Sequence, residues 1–507
     1  METPLLSEKY KDCLAGVLHC YDRIVLTGNL RPLCYAQGMT HYLYQHNIRI
    51  FDYTQFAEPL REELRANAEK IAQEQGLTIE FIRKNDFRKE NRIQAIVKKR
   101  GDHPGLVHIF SAMEPCASYT PWHDKLTGKT FLKASPGKCL HYYFYFIDPA
   151  LGLCFLRVPT WCPFRLQFYC NGHSWLATQL HQKGIAYELH DNAFTQIADW
   201  PAANQLAERM DSKSLHEYLD TFAQRYCPVI QKLNLTYQWS LWQTEYATDL
   251  VFKNANDLQS FYPLLLETLI HTVKPSDIAT FLGRKLHGNY QGEMGSRFNV
   301  RPLGTRLKHS MGAASIKLYD KFRLILRIET TVNNVSFFPH YREVIHRDGQ
   351  REKKWTKMKK TIYSLAPLRQ VLWAANQRYL KFISVFETPA VGVTLLNRVS
   401  ESQVEKEHHY KGFNLLAAGD ALILRTLVRG EFAINGLTSK ALRHLLADKT
   451  TGQMSRLLKR LRVHGLIKKV GNHYKYYLTD LGRQVAATAL KLRELVVIPS
   501  LAHSQTA

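Results

Sequence analysis

The sequence predicts a multidomain α+β chain, with mixed or antiparallel sheets in the N-terminal and central regions and a helix-rich C-terminal segment. Three observations predict it. Apolar runs bounded by turn residues alternate with amphipathic helices through roughly the first 385 residues. Leucines return at helical spacing between 419 and 492, followed by a short basic hairpin pattern. Finally, the 507 residues are 45% apolar, enough to fill several cores, yet Lys and Arg outnumber Asp and Glu by 68 to 44.

The first block, residues 1–230, opens with a strand over 17–28 closing on Gly28. An amphipathic helix covers 56–76, with Gly76 at its C-terminal cap. Residues 105–116 read as a buried strand, 138–161 as a hairpin turning at Asp148-Pro149, and 165–172 as a further strand before a helix over 173–184. The second block, 231–385, is a central sheet domain with strands at 237–252, 304–309, 315–321 and 325–332 and a helix near 258–273. Residues 386–412 read as a linker, and 413–507 form the third block.

The excess of +24 favours a polyanionic partner, nucleic acid above all. No apolar run approaches the ~18 residues of a membrane span, and no secretion leader opens the chain, so a cytoplasmic protein is expected. Nine scattered cysteines with no Cys-x-x-Cys argue against a disulfide framework. The spacing of Cys116, His123, Cys139 and His141 matches none of the usual zinc pairings.

One carboxylate, Glu329, interrupts the apolar and basic run Ile325–Thr331. Upstream, Glu245 and Asp249 stand four apart and share one side of a strand. Like charges held together are costly unless a cation or a proton intervenes, and a hard ion such as Mg or Mn suits oxygen ligands. Glu245, Asp249 and Glu329 are therefore the candidate metal ligands. Lys317 and Lys321, on one face of the 315–321 strand, are the candidate phosphate-holding groups. The structural alternative is a cross-strand ion pair between Glu329 and Lys317 or Arg327. Asp22, Glu114 and Asp148 offer a second set, strand-borne acids of the kind used by ribonuclease-H-like nucleases.

The run from Glu245 through Asp249, Gly304-Thr305, Gly312, Ser315, Lys317, Tyr319-Asp320-Lys321 and Leu326-Arg327-Ile328-Glu329 resembles rolling-circle replication initiators of plasmids and filamentous phages, over about 100 residues. The resemblance implies a sheet-based DNA-nicking domain with a divalent metal and a tyrosine nucleophile. This chain departs from the pattern in lacking a His-hydrophobic-His pair in its central block. No motif assigns the tyrosine. Of Tyr341, Tyr363 and Tyr379, Tyr379 is selected as a catalytic candidate because a helix after the sheet would carry it.

Within 340–365, eight Lys and Arg face three acids, with Trp355 and Tyr363 interleaved. Lys353, Lys354 and Lys357 are candidate backbone contacts beside a stacking aromatic, against the plainer reading of a solvated loop before a helix. In the third block, residues 419–495 hold 15 Lys and Arg against 5 Asp and Glu. A helix ending at Gly430, a short strand over 431–436, two further helices, a two-stranded hairpin with its tip at Gly471–His473 and a closing helix from Thr479 follow in order. The run "LLKRLRVHGLIKKV…YKYYLTDLG" resembles the winged helix-turn-helix of MarR-type regulators. It implies that a helix enters the major groove of double-stranded DNA. Arg456, Lys459, Arg460 and Arg462 on the third helix and Lys468, Lys469, His473 and Lys475 on the wing are the expected contacts.

Together these features predict a DNA-binding protein that performs metal-dependent nicking or strand transfer for a mobile element or replicon. A non-catalytic regulator, whose N-terminal part senses a ligand or drives homodimerisation, is the first alternative. An RNA-binding protein is the second, because a basic face does not separate the two nucleic acids.

Overall fold

The computed structural model describes residues 4–83, 87–287, 289–301, 304–346, 348–386, 389–429, 431–432, 436–470 and 475–503. The chain is α+β and divides into two units, residues 1–387 and 388–507.

An eleven-stranded sheet organises the first unit. In chain order its strands are β1 (Leu14–Asn29), β2 (Ile79–Phe81), β3 (Gly105–Cys116), β4 (Gly137–Asp148), β5 (Gly152–Pro159), β6 (Leu166–Asn171), β7 (Gln238–Phe252), β8 (Met294–Arg301), β9 (Gly304–Met311), β10 (Ala314–Lys321) and β11 (Ile325–Val332). Across the sheet the order is β8-β9-β10-β11-β7-β1-β6-β5-β4-β3-β2. Every pairing is antiparallel except β2 with β3.

The boundary expected at residue 230 is thereby corrected. β1 and β7 pair from Leu14–Phe252 to Asn29–Gln238, so the first and second blocks share one sheet. Alternation within a strand says which face a side chain takes, but not which distant strand lies alongside.

Helix α1 (Tyr53–Glu74) ends as its glycine signal predicts, with Gly76 at φ +61°. Helix α2 (Gly172–Gln182) starts on Asn171, whose side chain accepts from the amides of His173 and Ser174. Gly172 is required there: a Cβ would sit 2.1 Å from the Tyr21 carbonyl oxygen of β1. Helix α3 (Leu365–Phe386) crosses one face of the sheet. Its Asn376 donates to the Tyr246 carbonyl and to Thr248 of β7 and pairs with Thr330 of β11. All eight residues of β11 are buried, as are Thr244–Phe252 of β7. Charged side chains on these strands must therefore find partners inside the protein.

Residues 340–357, whose plain reading was a loop, form a separate hairpin of β12 (Pro339–Ile345) and β13 (Arg351–Lys357). In the second unit the expected linker is ordered instead. Helix Pro389–Ser400 and a small hairpin, Gln403–Glu405 with His408–Tyr410, precede α4 (Ala418–Leu427), α5 (Ser439–Leu445) and α6 (Thr451–Val463). Strands Ile467–Lys469 and Tyr476–Leu478 pair next, before α7 (Asp480–Leu492). Leu424, Leu427, Leu442, Met454, Leu458 and Leu461 fill its core.

Candidate metal centre and nucleic-acid interface

The face of the sheet opposite α3 carries the chemistry. On β7, Glu245 and Asp249 share that face, as the spacing predicts, but only Glu245 joins the cluster. Asp249 lies directly across from Arg327 of β11. The guanidinium grips it with Nε and Nη2, each 2.6 Å from a carboxylate oxygen. Both side chains are fully buried. Asp249 is thus the counter-ion of Arg327, and its assignment as a metal ligand is corrected. The ligand set lacked a rule for which base each acid would meet.

Asp22 takes the vacant role. In β1, Tyr21 pairs with Tyr246 and Arg23 with Glu245, leaving Asp22 as the extra residue of a β-bulge. A bulge re-aims side chains, and this one turns Asp22 toward β7 and β11. One carboxylate oxygen each from Asp22, Glu245 and Glu329 lie within 4.8 Å of one another. Asn192 donates to Asp22 at 2.6 Å and Asn171 at 3.1 Å, and His173 Nδ1 lies 3.2 Å away. Burial opposes ionisation of Asp22, but His173 and Arg327 outweigh it and hold the carboxyl well below the usual range.

Glu329 behaves in the opposite sense. Burial is the main cause of its raised pKa; Lys317 opposes the rise, while Glu245 and Asp22 add to it. Lys317 faces Glu329 across the β10–β11 pair. Its Nζ lies 2.5 Å from Glu329 and 2.9 Å from Glu245. The Tyr319 hydroxyl donates to the other Glu329 oxygen at 2.6 Å, and Thr331 donates to Glu245 at 3.0 Å. Arg23 Nε stands 3.5 Å from Glu245.

Three all-oxygen donors at this spacing suit a hard divalent cation. The Lys317 ammonium, bridging Glu245 and Glu329, stands where that ion's charge would be needed. Two buried atoms beside Asp22 lack a hydrogen-bond partner: Arg327 Nη1, 3.7 Å from Asp22 Oδ2, and His173 Nδ1, 3.2 Å from Asp22 Oδ1. The cluster forms one wall of a cavity of about 950 Å³, also lined by Arg23, Arg88, Arg306 and Lys321. Lys321 borders it as expected, but its Nζ contacts Asp191 at 3.1 Å and also Asn192, so it already has partners.

Tyr379 is not at this site, a second correction. It is fully buried on α3, on the other side of the sheet, with its ring 4.8 Å from Phe281 and its hydroxyl 3.0 Å from His309 Nε2. Burial raises its pKa well above the ordinary tyrosine value. Helical periodicity placed it on a helix but did not reveal that the helix packs with this face inward. Tyr319 is the tyrosine that reaches the cluster.

Cys139 and His141 approach each other on β4, with Sγ and Nδ1 3.8 Å apart, while His123 bonds Thr130 on another hairpin. All nine cysteines are free. Among the described residues the acidic cluster alone has metal-site geometry.

In the second unit, α6 begins with a capping box between Thr450 and Gln453. The basic face expected on α6 is divided. Lys459 and Arg462 pair with Glu405 at 2.5 and 3.4 Å. Arg460 contacts Asp420 at 3.3 Å, donates to the carbonyls of Lys411 and Gly412, and lies over the Phe413 ring. These three are engaged by residues 405–420, so their role as free contacts is corrected. Arg456 on α6 and Lys468, Lys469 and Lys475 on the hairpin are exposed. His473 lies outside the described residues.

On the first unit's hairpin, Lys353 and Lys357 are exposed, whereas Lys354 bonds Glu352 at 2.7 Å. No described helix is long and apolar enough to cross a membrane. Comparison of the chain with family models, curated proteins and solved structures yields no match.

Proposed function

We propose that this is a DNA-processing protein that cleaves or transfers phosphodiester bonds with a divalent cation, Mg or Mn, held by Asp22, Glu245 and Glu329. The observation that carries the reading is the convergence of three carboxylates on the wall of a cavity that Arg23, Arg88, Arg306 and Lys321 also line, together with Glu90, Asp191 and Asp320. When bound, such a cation would polarise a phosphoryl oxygen and favour ionisation of an attacking water.

The protein's own groups do the rest. Asn171, Asn192 and His173 orient Asp22. Tyr319 fixes Glu329. Lys317 neutralises the two glutamates; were an ion held there, this ammonium would be free to pair with a phosphate beside Arg23. The second unit, read as a winged helix, delivers the DNA through Arg456 and the exposed lysines of its hairpin.

The test is cleavage of supercoiled and single-stranded DNA with Mg or Mn, comparing the parent with Asp22→Asn, Glu245→Gln and Glu329→Gln. Metal-dependent cutting lost in all three variants supports the reading. An inactive parent that also binds no Mn in calorimetry ends it.

A second reading has its own support. Each acid in the cluster meets a basic partner, Lys317, Arg23 or Arg327, although Arg327 is shared with Asp249, so the network offsets most of its charge without an ion. On that reading the protein is a non-catalytic nucleic-acid-binding regulator, and the three variants change stability alone.

A further inference from the structure

The β12–β13 hairpin buries the wrong face. A strand pair lying on a protein ordinarily turns its apolar side chains inward and leaves its charges in water. Here Tyr341, Ile345 and Trp355 are 52%, 63% and 70% exposed. The half-buried side carries one apolar residue, Val344, among His340, Arg342, His346, Lys354 and Thr356, and Lys354 is tied to Glu352.

The register places Tyr341 opposite Trp355, with ring centroids 5.8 Å apart. A pair of that kind stabilises a hairpin by about 0.2–1 kcal/mol, which explains why the rings meet. It does not explain why they face solvent. Along β13 the same exposed face reads Arg351, Lys353, Trp355, Lys357, and its one acid from β12, Glu343, pairs with Arg351 at 3.8 Å. Cations thus flank the aromatic pair on both sides.

We infer that the β12–β13 hairpin is a docking arm for single-stranded nucleic acid, stacking unpaired bases on Tyr341 and Trp355 and pairing phosphates with Lys353 and Lys357. A single strand alternates a flat apolar base with an anionic phosphate, and this face alternates aromatic ring and cation. A duplex keeps its base faces covered, so it can use the cations but not the rings. A purely apolar partner would strip water from the cations at a cost, and a purely ionic one would leave the rings unused. The inference shares with the proposed function only the premise that nucleic acid is the partner, and it requires no catalysis.

The experiment uses the full chain and fluorescence anisotropy with a labelled oligothymidylate of about 20 nucleotides and a mixed-sequence duplex of the same length. Trp355→Ala should weaken strand binding by about tenfold while leaving duplex binding within about twofold. Trp355→Phe, which preserves a stacking surface, should restore most of the loss and shows that the hairpin still folds. Lys353→Glu should weaken both ligands and flatten the salt dependence.

Unchanged strand affinity in Trp355→Ala overturns the inference, as does an equal loss on the duplex. So does a Trp355 dependence seen with anionic phospholipid vesicles and not with the strand. If nothing cleaves DNA yet the Trp355 dependence stands, only the catalytic reading falls.

Discussion

Lys317 and Glu329 face each other across β10 and β11 with Nζ and Oε1 2.5 Å apart, and the same ammonium reaches Glu245 at 2.9 Å. One lysine thus does the electrostatic work of an ion between two buried carboxylates. Burial alone would lower its pKa, but the two glutamates raise it, so it stays charged.

This bridge predicts competition. Lys317→Met should cost about 3–5 kcal/mol of stability without metal, because two buried acids lose their partner. If the cluster binds metal, Mn should raise the melting temperature of Lys317→Met more than that of the parent. Calorimetric scans with and without Mn check this, and an equal or absent shift in both proteins counts against the metal site.

Asp249 and Asp22 should separate cleanly. Asp249→Asn leaves Arg327 buried beside a neutral partner and should lower stability by about 3–5 kcal/mol in urea titrations. Asp22→Asn should instead lower Mn affinity. If Asp249→Asn leaves the urea midpoint in place, the buried pair is not what holds β7 to β11.

Acid should act through the same pair. Burial would raise the pKa of Asp249, but Arg327 and His173 bring it down to about 2. A carboxyl depressed in the folded state stabilises above its unfolded pKa, here 3.8, and that support is lost as pH falls toward 2. The contribution is roughly 2 kcal/mol, and Asp249→Asn should flatten the stability curve across this window.

Metal affinity should also rise with pH, but over a higher window. Glu329 holds its proton to a higher pH than a free glutamate, chiefly through burial. Binding an ion must release that proton, so Mn affinity should climb as pH rises through the Glu329 titration. A pH-independent affinity would exclude Glu329 as a ligand.

Tyr379→Phe should leave any DNA cleavage intact and cost about 1–3 kcal/mol, since His309 Nε2 loses its buried partner. Loss of cleavage in a folded Tyr379→Phe protein would reopen its role as nucleophile. In the second unit, Arg456→Ala should reduce the salt slope of duplex binding by about 1, whereas Arg460→Ala should act on stability through Asp420 and Phe413.

Much of the frame was legible beforehand. The strands over 105–116 and 325–332 fall where apolar runs and turn residues place them, and Gly76 ends its helix as read. Period-two alternation also put Glu245 and Asp249 on one face, and Lys317 on the face that meets Glu329. The helices and hairpin of the last block follow the order read from leucine spacing.

The sequence by itself determined these local matters, because element type, side-chain face and charge excess depend on residues a few positions apart. Tertiary structure decided which acid joins Glu245 and Glu329. It paired a strand from residues 14–29 with one from 238–252 and inserted one extra residue, Asp22, into the ladder. It also gave Asp249 to Arg327, turned Tyr379 inward and set residues 405–420 against α6. Each of those outcomes rests on which distant segments lie side by side, and strand periodicity repeats identically for every neighbour a strand could have.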